Sequence, residues 1–428
     1  MVGGRWSAGA LVSPQFVAWR KRLVGFLGRA RGESIVVSVA RLVSAACSLL
    51  VAALSARHLG PSGRGEIVFV LTVSVLSSEF ISFGTNVSGR IQILRRSGVF
   101  LEDFLGLTFV LAGLQTLLMG LLLGTVGVLV LKISALSCVL GVLLGVAMFV
   151  AHMLVDAAFS LRRTLETGLR DLLIGVTPLL PVVVLAATGA LSVPIVIGLT
   201  ASGYVVGGGY LWSVVRGRID SVRFLPSTWT TIIRGGLPVL GGSFGQSLAF
   251  RADRLVLGVL VTPAALGIFS VAATAAELPR LLLLPVTQIL ANRVAGGEIS
   301  ASTLRGLVIR LGLGYSVVML VVGLVGASVV LPVVGEEFDA VRDSITVLTF
   351  SEVLLGFYFL SVAVLTGLGK FRRLPAPAVG GAVVILLADV FVIPFHGGMG
   401  AAWVRVAGFG FMSVVAVTSM LVVLKSES

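Results

Sequence analysis

Twelve apolar stretches of 18 residues or more run through this chain, at 34–56, 67–89, 104–131, 133–160, 171–188, 191–215, 236–260, 264–291, 304–330, 341–368, 375–394 and 398–424. A helix takes about 20 consecutive apolar residues to cross a bilayer. Inside hydrocarbon each backbone N–H and C=O must be satisfied by the protein itself, which restricts spanning segments to helices and closed barrels. Continuous stretches of this length select helices, so the expected fold is an all-α integral membrane protein with about 12 transmembrane helices. Composition agrees: 57% of the residues are hydrophobic and only 12% are charged, with a mean hydropathy of +1.09, outside the range of water-soluble domains.

The net charge of +13 raises nucleic acid as a partner, but the basic residues are spread between the apolar stretches rather than gathered in one domain, and no nucleic-acid partner is expected. Orientation accounts for them better. With the N-terminus in the cytoplasm, 23 of the 32 Lys and Arg residues fall on the inner side. Arg57, Arg64, Lys132 and Arg342 fall outside, and Arg41, Arg251, Arg254, Arg280 and Arg405 lie within the membrane. That asymmetry follows the positive-inside rule and predicts both termini in the cytoplasm. Residues 1–33 carry Trp6, Phe16 and Trp19 among six basic residues, a pattern for a cytoplasmic segment resting on anionic headgroups, with a disordered tail as the plainer alternative. No small-residue cleavage site follows a short apolar region, so a signal peptide is not expected.

An internal repeat divides the spans. Residues 59–91 align with 260–294 at an offset of 202, which sets Pro61 on Pro263, Gly65 on Gly267 and Asn86 on Gln288. Two six-helix halves follow, 34–215 and 236–424, joined by the linker 216–235, and an even number of helices per half makes them parallel repeats. Transporters of that plan hold their substrate in a central cavity between the halves. The outer loops are short, which argues against an enzyme working at the outer face. The acidic turn Glu336-Glu337-Phe338-Asp339 reads as solvated. No phosphate loop with a Gly-x-x-x-x-Gly-Lys-Ser/Thr spacing occurs. Cys47 and Cys138 read as small buried residues, and His58, His152 and His396 are too scattered for a zinc site; neither a metal nor a cofactor is expected.

Ionisable residues within spans mark polar paths, because a charge at the membrane centre costs about 2.5 to 3.5 kcal/mol on insertion scales. Arg251 and Arg254 are three apart in 236–260 and share a helix face, whereas Asp253 points elsewhere and has Arg41 or Arg405 as possible partners. Paired guanidiniums fit phosphate oxygens, which makes a phosphate-bearing substrate attractive. Glu277 and Arg280 are also three apart and suited to neutralise each other. Glu79, Asp156, Glu352 and Asp389 complete the acidic set; Glu79, Asp156 and Glu277 are the candidates for ion coupling. For each of these charges a purely structural ion pair is the competing reading.

Two segments resemble a known family. Ser55-Ala-Arg-His-Leu-Gly-Pro-Ser-Gly-Arg-Gly-Glu66 resembles the end of the first helix and first outer turn of the polysaccharide flippase family, the Wzx-like branch of the multidrug/oligosaccharidyl-lipid/polysaccharide exporter superfamily. Arg251-Ala-Asp-Arg-Leu-Val-Leu-Gly-Val-Leu-Val-Thr-Pro-Ala-Ala-Leu-Gly-Ile-Phe-Ser-Val-Ala272 is similar to its seventh-helix signature. The resemblance implies a bacterial cytoplasmic-membrane flippase that moves undecaprenyl-diphosphate-linked oligosaccharide from the inner to the outer leaflet by alternating access, with membrane lipids and glycan polymerase or assembly proteins as further partners. By motif it carries over Arg57, Asp253 and Arg254 as substrate-binding residues; Arg41, Arg251 and Arg280 join them by placement. A cation-coupled multidrug exporter, a lipid II flippase, a glycan-assembly enzyme and an envelope scaffold are the alternatives.

Overall fold

In a computed structural model, residues 14–95, 98–299 and 301–427 are described, with side chains over 36–95, 98–299 and 303–426. The basic and aromatic side chains expected to rest on headgroups in residues 1–33 lie outside the described set. All regular structure among the described residues is helical. The first part of the chain forms α1 (Pro14–Ile81), α2 (Thr85–Leu94), α3 (Leu101–Leu122, prolonged by a π-helical turn to Val130), α4 (Ala135–Ser160), α5 (Thr164–Ala187) and α6 (Val193–Arg216). The second part forms α7 (Pro226–Ala249), α8 (Ala252–Leu260), α9 (Pro263–Glu277), α10 (Arg280–Ala295), α11 (Ala301–Val334), α12 (Val341–Gly367) and α13 (Pro375–Glu427). Eight of these helical stretches are long and apolar enough to cross a membrane, and nine if the bent pair α9–α10 is one span.

Glycine sets where the two longest helices bend. α1 holds 68 residues, about 100 Å at 1.5 Å per residue, far more than one bilayer. It folds back at Gly60, whose φ of 65° lies in the left-handed region where only glycine is free of strain. Pro61 restarts the helix immediately, its fixed φ and missing N–H suited to a first turn. In α13 Gly397 (φ 53°) makes the second such kink.

Three expected spans are interrupted. Within 67–89 the helix breaks at Ser82-Phe83-Gly84, where Gly84 has φ 67° and the Ser82 hydroxyl accepts the Gly84 N–H at 3.2 Å. Within 236–260 it breaks at Phe250–Arg251, and within 264–291 α9 and α10 meet at 44° around Pro279, which has no N–H to continue a helix. The expected linker 216–235 is already helical from Pro226. Cys47 and Cys138 are buried and free.

One apolar cluster joins early and late helices: Phe69, Val70 and Val73 of α1 pack with Leu257, Leu266 and Phe269 of α8 and α9. Its seam is reciprocal. A methyl group built on Gly65 would stand 1.7 Å from the Pro263 carbonyl oxygen, and one on Gly267 would stand 1.9 Å from that of Pro61. The four residues are the pairs that the offset of 202 superposes, so the sequence repeat is also a contact. Two other clusters, one around Phe104, Phe149 and Leu211 and one around Leu290, Met319 and Leu360, gather only early or only late helices, apart from Ile232 at the start of α7 in the first. The two groups of helices are thus joined along the Gly65–Gly267 seam and again where α7 meets α2, with the backbones at Gly84 and Gly236 in reciprocal contact and Gln92 donating to the Thr231 carbonyl at 3.3 Å.

Candidate functional site

Broken helices deliver charge to the interior. Arg251 is the N-cap residue of α8, with φ −137°; Asp253 and Arg254 follow in its first turn. Glu277 is the last residue of α9 and Arg280 the first of α10. A helix break frees backbone groups that need polar company, so ionisable side chains at such breaks find partners that a continuous apolar span lacks.

Those partners form one connected network. Arg405 of α13 is only 1% exposed and reaches three carboxylates: Glu277 at 2.5 Å, Glu352 of α12 at 3.3 Å and Asp253 at 3.5 Å. Arg254 donates to the same Glu277 oxygen at 2.5 Å. Arg280 grips Glu352 with two donors, Nε at 2.9 Å and Nη2 closer still, and stands 3.9 Å from Glu277. The Asp253 carboxylate also accepts the Arg254 backbone N–H at 2.6 Å. Two rings complete the surroundings, Phe250 under Arg280 and Phe409 under Arg405, each 4.9 Å from the guanidinium carbon. Arg254, Arg280 and Arg405 balance Asp253, Glu277 and Glu352, so the network is neutral within itself. Burial of charge in so apolar a setting is tolerable only with such matching.

Arg251 stands outside this balance. Among the described residues its guanidinium has no carboxylate within ion-pairing distance, yet it feels the charges of Arg254, Glu277 and Arg280 on its own side and of Glu79 on α1. It also acts on His152 of α4 and Tyr204 of α6. Arg251 therefore sits between the early and late helices, a partly exposed cation with two more arginines behind it. Glu79 is likewise without a side-chain ion pair among the described residues.

The structure brings Arg251, Asp253, Arg254, Glu277 and Arg280 together, with Glu79 near Arg251, and leaves Arg41, Arg57 and Asp156 elsewhere. Arg41 pairs with Asp171 of α5 at 3.0 Å, so Asp253 takes Arg405 as its partner. Arg57 is exposed and approaches the Pro332 carbonyl at 3.5 Å. Asp156 is held by Arg90 at 2.9 Å. The shared helix face expected for Arg251 and Arg254 does not form, because the break puts Arg251 ahead of the helix that carries Arg254. Glu277 and Arg280, expected to neutralise each other, instead make their short contacts to Arg254, Arg405 and Glu352.

Arg64, expected in an outer loop, is buried at 7% exposure. The helix resumes at Pro61, so Arg64 stands in its first turn and walls an apolar slot of ≈ 170 Å³ with Ala52, Ala53, Val271, Leu278 and Val334. Its Nε has no partner. Sequence reasoning left Glu352 and Arg405 out of the site although both interrupt apolar runs; that same signal was the one available for them. Asp389 of α13 is fully buried with neither carboxylate oxygen bonded.

Similarity to known proteins adds the class. The chain overlays an inward-facing multidrug resistance MATE family transporter of the MOP superfamily with a TM-score of 0.72 at 15% identity, covering 91% of this chain and 98% of that one. The lipid II flippase MurJ in an inward closed conformation gives 0.72 at 11% identity, covering 90% and 87%. An outward-facing MATE family transporter gives 0.62 at 13% identity, covering 92% and 96%. No curated protein matches by sequence. The fold is shared with these MATE family transporters and with the lipid II flippase MurJ. Residues 31–290, more than half of the chain, match the family described as Polysaccharide biosynthesis protein, and the chain belongs to that family.

Proposed function

We propose that this chain is a flippase that moves undecaprenyl-diphosphate-linked oligosaccharide, a precursor of cell-surface polysaccharide, from the inner to the outer leaflet of the bacterial cytoplasmic membrane. The observation that carries the reading is Arg251: a cation between the two groups of helices, unpaired while the six charges of the network behind it match one another. A diphosphate supplies the missing counterion, since guanidinium donors form charge-assisted hydrogen bonds with phosphate oxygens. The family membership supports a polysaccharide pathway, and within one a lipid-linked glycan is the diphosphate-bearing cargo that this reading takes. An organic-cation exporter is disfavoured, because an unpaired arginine repels such cargo.

In this reading α1 and α13 each cross twice, turning at Gly60 and Gly397. α1 and α2, α7 and α8, and α9 and α10 supply the interrupted crossings, for twelve in two sets of six with both termini cytoplasmic. The protein works by alternating access and not by catalysis. The Gly65–Gly267 seam closes the outer side and the Gly84–Gly236 contact the inner ends, and in this reading the two open in turn. Glu79, the acidic group that faces Arg251, is the favoured coupling group over Asp156 and Glu277, whose carboxylates are already engaged. Arg41 and Arg57 remain proposed contacts to the glycan along its path.

Arg251→Ala is expected to lower transbilayer movement of a labelled undecaprenyl-diphosphate oligosaccharide in proteoliposomes at least tenfold, roughly the loss of one hydrogen bond to a charged group at 1.5 to 3 kcal/mol, with unchanged membrane insertion and melting temperature. Normal movement by the inserted variant would remove Arg251 from the substrate site.

A further inference from the structure

At the other ends of α4 and α6 two tight turns bring three arginines around one cavity. The cavity measures ≈ 380 Å³ and is lined by Leu161, Arg162, Arg163 and Arg218. We propose that it is a binding site for the phosphate of an anionic phospholipid headgroup, separate from the transport path.

The backbone is bent to present these side chains. α4 ends with Arg163 N–H donating to the Ala158 carbonyl at 2.9 Å and Arg162 N–H to that of Phe159 at 3.0 Å. This is the Schellman pattern, whose central position falls in left-handed backbone and is ordinarily glycine. Here that position is Arg162, at φ 59°. An arginine held where glycine is strain-free points to a use for the side chain, as strained backbone gathers at ligand clamps. The second turn is folded by Arg216, whose Nη1 donates to the carbonyls of Ile219 at 2.8 Å and Asp220 at 3.2 Å. Ile219 is buried beneath, and Arg218 is left exposed at the cavity.

Charge and depth identify the ligand. Arg163 is matched by Glu166 at 3.1 Å, whereas Arg162 and Arg218 have no carboxylate partner among the described residues. Two unmatched guanidiniums therefore face the cavity, beside the N-terminal end of the 24-residue helix α5, whose free N–H groups also favour an anion. Tyr210 and Trp212 lie in the last two turns of α6 before Arg216, and on the far side of Arg218 in the chain the rings of Phe224 and Trp229 are in contact at 6.3 Å. Aromatic side chains collect at the membrane–water boundary, where basic pockets between helices take phospholipid headgroups.

The test uses full-length protein in detergent and native mass spectrometry with added phosphatidylglycerol, cardiolipin or phosphatidylcholine. Arg162→Gly with Arg218→Gln removes both unmatched charges, and glycine at 162 relieves the turn, so folding is preserved. Wild type is expected to retain the anionic lipids at least fivefold more than the variant, with phosphatidylcholine weak in both. A control that loses the same charge elsewhere, Arg305→Gln with Arg372→Gln, is expected to behave as wild type. Equal retention by wild type and variant overturns the site, and so does equal loss in the control. Stabilisation of wild type but not variant by inorganic phosphate, without selective retention of anionic lipid, overturns the lipid assignment and gives the pocket to a soluble phosphate.

Discussion

Gly65→Ala is expected to pry α1 from α9 at the only place where their backbones touch through paired glycines. The added methyl would stand 1.7 Å from the Pro263 carbonyl oxygen, less than half of an ordinary carbon–oxygen contact, and a backbone carbonyl inside a helix cannot rotate out of the way. Overpacking of this kind costs about 1 to 3 kcal/mol, enough to shift an equilibrium between closed and open seams by one or two powers of ten. The seam is expected to open rather than the helices to unfold, since each group keeps a core of its own and the second junction, at Gly84 and Gly236, is untouched. Gly267→Ala, with its methyl 1.9 Å from the Pro61 carbonyl, is expected to do the same. Because the two contacts share one interface they are coupled, and the double variant is expected to cost less than the sum of the singles, since the first methyl already parts the helices that the second would push apart.

Spin labels read the opening directly. Ser62 and Leu260 are exposed on either side of the seam, and with Cys47 and Cys138 replaced by alanine, labels on cysteines at 62 and 260 report its width. The distance distribution is expected to move to longer values in Gly65→Ala, with transport reduced. Gly113→Ala, at a position with open space around it, is expected to leave both unchanged. A distribution in Gly65→Ala identical to wild type would show that the seam does not move.

The repeat that exposes this seam was legible in sequence, because Pro61, Gly65, Pro263 and Gly267 are punctuation residues whose backbone roles show through low identity. The apolar stretches were legible for the same kind of reason: hydropathy reports transfer into hydrocarbon, which is local. What hydropathy does not report is continuity of the helix. The breaks at Phe83, Arg251 and Pro279 lie inside runs that remain apolar on average, and of the three residues only the proline is one that cannot continue a helix. That is why spacing alone sets Arg251 and Arg254 on one helix face and pairs Glu277 with Arg280, where the structure does neither.

The pairing of buried charges was illegible for a different reason. Asp253 and Arg405 are 152 residues apart, and Coulomb attraction has no sequence signature at that separation. Composition did carry the count: the late helices bear the acidic groups needed to balance three arginines. Arg41 had a nearer claimant in Asp171 of α5, a residue the span 171–188 put at its edge rather than in its interior. Arg64 was misplaced because a loop was expected after the glycine, where Gly60 and Pro61 turn the chain with no loop at all.

Arg405→Ala is expected to be the most damaging single change in the late helices. It leaves Asp253, Glu277 and Glu352 against Arg254 and Arg280, an uncompensated negative charge at a site 1% exposed. Removing one member of a buried ion network costs about 3 to 5 kcal/mol, because the abandoned charge stays buried. The variant should melt well below wild type by tryptophan fluorescence, or fail to elute as a single species. If charge balance is the cause, then Arg405→Met with Asp253→Asn should recover most of the loss: methionine fills the volume, asparagine still accepts the Arg254 N–H, and Arg254 and Arg280 again match Glu277 and Glu352. No recovery would assign the effect to packing on Phe409 instead. The contrast with Arg251→Ala separates the two jobs arginine does here. Arg251 lacks a counterion, so its loss should spare the melt and remove transport, whereas Arg405 is fully spoken for and its loss should remove the fold that holds Arg251 in place.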